Sequence, residues 1–155
     1  MSLLTNIVNS VSQAQLVVAP KIDAAAIYND VQKVVAKYSV AANGGAVGII
    51  EVPLLKTLPA GAIVYSMIVD ITTPLFDDGN GASVSVGVLT SDDMVVESYI
   101  SDAPWNIGAL PFESDSSNFV KVTSDTSTVK VEVLDYDLFS GAFTITLLYV
   151  VSEVV

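Results

Sequence analysis

From Leu58 to Thr90 the chain carries two alternating runs separated by an acidic, glycine-rich turn, and this stretch limits the fold more than any other. In the first run Ile63, Tyr65, Met67, Val69 and Ile71 fall on one side of an extended chain, with Ser66, Asp70 and Thr72 on the other. That period of two predicts a half-buried strand, opened by the turn Leu58-Pro59-Ala60-Gly61. After Asp77-Asp78-Gly79-Asn80-Gly81, residue types that tolerate the positive φ of a reversal, Val84, Val86 and Val88 alternate with Ser83 and Ser85. The two runs read as a strand pair that anchors a β-sandwich.

The rest of the chain after Gly45 carries the same signature. Val47 to Leu55 predicts a strand in which Pro53 marks an edge position or a bend. Met94 to Ile100 and Phe119 to Thr123 predict two more. Val129, Val131 and Val133 alternate with Lys130 and Glu132, and Ser140-Gly141 leads into a last strand through Phe143, Ile145, Leu147, Tyr149 and Val151. About eight short strands joined by turns predict an antiparallel, jelly-roll-like β-sandwich. Before Asn43 the pattern differs. Met1 to Pro20 reads either as an arm laid on a neighbouring subunit or as an edge strand of its own fold. From Asp23 to Tyr38, Ile27, Val31, Val34, Val35 and Tyr38 mark one face of a helix, with Asp23 at its start and Asn43-Gly44-Gly45 beyond its end. The expected organisation is an arm and helical segment over 1-43 and a sandwich domain over 44-155.

Composition excludes several function classes. With 17 acidic and 6 basic residues the net charge is -11, and isolated lysines give no cationic surface for nucleic acid. No uninterrupted apolar run is long enough for a spanning helix; a membrane β-barrel also has alternating strands, but usually shows aromatic girdles and many strands and fits the N-terminal helical segment poorly, so no membrane partner is expected. Lack of a basic n-region at Met1-Ser2-Leu3-Leu4 predicts no secretory signal and synthesis in the cytoplasm. The chain has no cysteine and no histidine, which removes disulfides, Ser-His-Asp and Cys-His catalysis, and the usual zinc sites. No enzyme and no cofactor are expected. Hydrophobic residues nevertheless make up 52% of the chain, with a mean hydropathy of +0.61. That is more apolar surface than one small core hides, and self-association is the expected outlet.

Leu58-Pro59-Ala60-Gly61-Ala62-Ile63-Val64, Val86-Gly87-Val88 and the closing Ser140-Gly141-Ala142-Phe143-Thr144-Ile145-Thr146-Leu147-Leu148-Tyr149-Val150 resemble small β-sandwich virion proteins of tailed bacteriophages. In that group a proline-alanine-glycine turn opens a strand, a glycine-containing strand follows, and a glycine-led last strand ends in Tyr-Val. The resemblance spans Leu58 to Val151. It implies a capsid decoration (cement) or head-fibre subunit, commonly a homotrimer, bound to the major capsid protein on the virion surface. The alternative it implies is a tail or fibre module that binds a host-surface glycan.

Two groups of residues are candidate sites. Asp77, Asp78 and Asn80 have the oxygen-rich composition of a calcium loop without EF-hand spacing, and a solvated turn is the competing reading. Trp105, in a loop, is suited to stacking on a sugar or anchoring an interface, and equally to plugging one end of the sandwich, the preferred reading. Tyr99 and Tyr136 are the other candidate partner or glycan contacts, with core or rim positions as the alternative.

Overall fold

The computed structural model describes residues 31-79, 81-102, 105, 110-113 and 119-151. Among the described residues nine strands run in order: β1 (Gln32–Ser39), β2 (Gly48–Leu58), β3 (Ala62–Phe76), β4 (Ser83–Gly87), β5 (Val95–Tyr99), β6 (Leu110–Glu113), β7 (Val120–Lys121), β8 (Thr126–Leu134) and β9 (Ser140–Val151). Every pairing is antiparallel, and the path across the curled sheet is β5-β4-β8-β2-β1-β9-β3-β6, with β7 also on β3. The path has one weak link. Between β1 and β2 only Ala36 and Leu54 are in register, so the sheet folds there into two layers, as the expected jelly-roll-like sandwich requires.

The inner faces follow directly from the period of two. Phe143, Ile145, Leu147 and Tyr149 of β9 and Val34, Ala36 and Tyr38 of β1 share one buried cluster with Val52 of β2, Val84 and Val86 of β4, and Val129, Val131 and Val133 of β8. Burying a side chain of this kind contributes roughly 1.5–3 kcal/mol, which makes alternation the main determinant of register.

Three expectations are corrected. The helix expected over Asp23 to Tyr38 is a strand over its last seven residues, and residues 23-30 lie outside the described part. Gln-Lys-Val-Val-Ala-Lys-Tyr-Ser satisfies a period of two as well as one of 3.6: Val34, Ala36 and Tyr38 are buried while Lys33 and Lys37 are exposed. Pairing with β9 from Gln32 to Ser39 decides for the strand, and the valines favour it. Among the described residues the helix is a single turn, α1 (Val40–Asn43), where the Ser39 side chain accepts from the Ala42 N–H and Gly44 closes the turn at φ 93°. The compact unit holding the sheet begins at Gln32.

The second correction concerns the anchoring strand pair. Strands β3 and β4 do not pair: β3 lies between β9 and the β6/β7 edge, while β4 lies between β5 and β8 in the other layer. The Asp77-to-Gly81 segment is therefore a crossover between layers. Asp77 Oδ2 accepts from the Gly81 and Ala82 N–H groups at 2.8 and 2.7 Å, turning the chain away from the β3 edge.

The third lies inside β3. Val64, Met67 and Val69 are buried, whereas Ile63 and Tyr65 are only half-buried. The register of β9 jumps from Leu148 opposite Ser66 to Tyr149 opposite Val64, a β-bulge that resets which side chains face the core. Strand β6 was not expected from the sequence.

Tyr38 ties the corner to the core. Its hydroxyl donates to the Gly44 carbonyl at 2.8 Å, and its ring lies 4.8 Å from that of Phe143. Burial pushes the phenol up to about 12 from 10.0. In the unfolded chain Tyr38 loses its proton first, so its contribution is complete below pH 10 and is lost as pH rises toward 12. Tyr38→Phe is expected to cost about 1 kcal/mol near neutrality. Urea unfolding is expected to show that deficit shrinking between pH 10 and 12, and a deficit independent of pH would refute this role.

Candidate functional site

At one end of the sandwich the end of β3, the crossover after it, the end of β5 and the β8–β9 turn come together. Four aromatic side chains crowd there with little cover: Phe76 is 56% exposed, Tyr99 55%, Tyr136 49% and Phe139 58%. Backbone contacts fix their spacing. The Phe139 N–H donates to the Phe76 carbonyl at 2.8 Å, and the Ile100 N–H to the Ala82 carbonyl at 3.0 Å.

Tyr136 is held by the crossover loop. A Cβ on Gly79 would stand 2.7 Å from Tyr136 Cδ1, and one on Gly81 would stand 2.8 Å from its Cε2 on the other edge of the ring. Only glycine lets the loop approach this closely. The turn beneath is tight, with the Tyr136 N–H donating to the Leu134 carbonyl at 2.8 Å and Asp135 at φ 72°. Asp135 tolerates that left-handed conformation better than most residues do. Two shallow grooves border Tyr99 and Asp135: one is also lined by Gly79, Gly81 and Tyr136, the other by Ser83, Glu97, Ser98 and Asp102.

The loop acids mostly organise backbone. Asp93 accepts from the Val88, Leu89 and Thr90 N–H groups at 2.7, 2.8 and 3.0 Å. Asp125 accepts from the Ala60 N–H and Asp137 from the Val47 N–H, both at 2.9 Å. Of the calcium candidates, Asp77 is buried with Oδ2 turned to the loop's own N–H groups, Asp78 is exposed, and Asn80 lies outside the described residues. Among the described residues no group of three acids is placed to hold a metal ion.

Trp105 is the sequence candidate the structure removes from the surface. It is 1% exposed, its Nε1–H donates to Ser98 Oγ at 3.0 Å, and its ring lies 5.2 Å from Phe143. With Tyr38 it completes an aromatic row through the core, so it offers no face to a ligand. Tyr99 and Tyr136 do converge on one groove. Phe76 and Phe139 were missed, because each ends or borders an alternating run and reads as a core residue. The only sequence signal for their exposure is their place beside the Asp-rich turns.

No protein-family model matches the sequence, and no curated protein matches it. Among solved structures, the fold is similar to a chain of the capsid asymmetric unit of cyanophage Pam1, with a TM-score of 0.58 and 17% identity over 91% of this chain and 96% of that one. It is similar to a chain of the capsid of Ralstonia phage GP4, with a TM-score of 0.54 and 18% identity over 90% and 93%. A chain of the acidic stable capsid of Helicobacter pylori bacteriophage KHP30 gives 0.51 and 19% over 81% and 96%. At these identities the likeness is one of fold.

Three substitutions at two positions test this description of the end surface. Trp105→Ala is expected to destabilise by about 3–5 kcal/mol, read as a lowered urea midpoint; a neutral result would mean the indole is not packed. Asp135→Asn is expected to leave the midpoint nearly unchanged, whereas Asp135→Val costs about 1–2 kcal/mol by forcing a β-branched residue into the left-handed region.

Proposed function

We propose that the chain is a structural virion protein, a decoration or cement subunit that binds the outer surface of a tailed-phage capsid and stabilises the shell. One observation carries this reading: the fold is shared with chains of three phage capsids, over 93 to 96% of each of those chains. The surface supports it. Leu55, Val96, Phe119 and the exposed aromatics leave apolar area uncovered among the described residues, as a subunit finished by its neighbours would.

In this reading copies associate as a homotrimer, the segment before β1 supplies contacts to other copies or to the capsid, and the major capsid protein is the partner. The glycan-binding fibre module is the weaker reading, since Trp105 is withdrawn from the surface and only Tyr99 and Tyr136 remain for a sugar.

Light scattering coupled to chromatography is expected to give three times the 16.2 kDa chain mass. Cryo-electron microscopy of the intact particle is expected to place the chain at repeated sites on the head, and deletion of residues 1-20 to abolish that occupancy. Density confined to the tail would overturn the proposal.

A further inference from the structure

The layer built on β9 has a second face, and its charges are sorted. The inner face holds Phe143, Ile145, Leu147 and Tyr149, all buried, so the alternate residues of β9 point away from the core. A sheet face turned to water is ordinarily polar. Here Thr144, Thr146, Leu148 and Val150 carry no charge and are already half-buried. The cross-strand register orders what lies beside them. One row across β1, β9 and β3 reads Lys37, Thr144, Asp70. The next outward row reads Val35, Thr146, Ile68. The third reads Lys33, Leu148, Ser66 and continues by register to Glu113 on β6. Both charged rows have their lysine at the β1 margin and their acid at the opposite margin, with an uncharged row between. Lys121, a cation on the acidic side, stands beyond them, level with Ile63. Within one chain Lys37 and Asp70 lie two strand spacings apart, about 10 Å, so neither neutralises the other.

We propose that this face is the contact between copies of the chain: three copies turn it toward a common axis, with the uncharged stripe of β9 along the axis and the lysine margin of each copy meeting the acidic margin of the next. Two margins of one surface that complement each other make a head-to-tail contact, and such a contact forms a ring when the rotation closes. A different partner would need anions and cations sorted into the same two columns, whereas a second copy carries that arrangement already. The net charge of -11 makes repulsion between copies the general rule, so a margin that gathers Lys33 and Lys37, two of the six cations, marks where copies can meet. This inference rests on the reading of the chain as a homotrimeric virion subunit and adds the surface through which the trimer forms.

Engineered cysteines test it, because the chain has none of its own. Under mild oxidation with diamide, the full chain carrying both Lys37→Cys and Asp70→Cys is expected to run as a covalent trimer on a non-reducing gel. A bridge within one copy is excluded by the spacing, since bridged Cα atoms lie within about 7 Å of each other. An equal mixture of the two single variants is expected to stop at the covalent dimer. Thr146→Lys, at the centre of the face, is expected to keep the near-ultraviolet circular dichroism of the folded chain while light scattering gives one chain mass instead of three. Lys37→Asp and Asp70→Lys are each expected to raise the concentration of half-assembly about threefold to tenfold, and together to restore it to within about twofold. Trimers that neither cross-link between positions 37 and 70 nor respond to Thr146→Lys would overturn this face and leave the trimer standing. A doubly substituted chain that stops at the covalent dimer would show two-fold pairing and overturn the ring. Cross-linking that appears only after residues 1-20 are deleted would assign the face to the chain's own start, which also overturns the proposal. Cross-linked trimers absent from the particle would sink only the decoration role.

Discussion

The pairing of β9 on both edges governs the rest of the molecule. Its residues from Ala142 to Tyr149 bond to β1 on one side, and its length from Ser140 to Val151 bonds to β3 on the other. Main-chain groups in the middle of a buried sheet have no water to turn to, so β9 is stable only with both neighbours present. That demand makes a strand of Gln32–Ser39, a segment whose hydrophobic spacing also suits a helix. It also brings the bulge in β3, which keeps Val64 and Met67 both pointing inward across a register jump.

Around this spine the acidic residues serve two purposes. Asp77, Asp93, Asp125 and Asp137 accept backbone N–H groups and fix the loops that reverse the chain. Glu97, Asp102 and Asp135 line an open groove beside Tyr99. The first use gives these four carboxylates a structural role. The second gives the acidity of the chain a local meaning as well as a global one.

The sandwich class, the strands β2, β5, β8 and β9, and the inward valines were legible because alternation encodes them residue by residue. What was not legible has a common cause: it depends on which strand lies beside which. The spacing of Val31, Val34, Val35 and Tyr38 carries no information that β9 will pair with it. Asp77-Asp78-Gly79-Asn80-Gly81 has hairpin composition, yet both edges of β3 are occupied by other strands. Tyr99 and Tyr136 stood out as aromatics near turns, but their meeting at one groove follows from the crossover that carries β4 to the opposite layer. Trp105 shows the converse. Its preferred sequence reading, a plug over one end of the sandwich, agrees with its burial beside Phe143.

Because the central strand of one layer is also the last strand described, the order of synthesis runs against the order of assembly. On the ribosome, β1 and β3 emerge with a shared gap between them that only Ser140–Val151 fills. Long-range pairing of this kind slows folding, and until Ser140–Val151 is released the nascent layer exposes two raw edges. Such a layer closes only once β9 has been made, and every part of it made earlier waits with unpaired main chain.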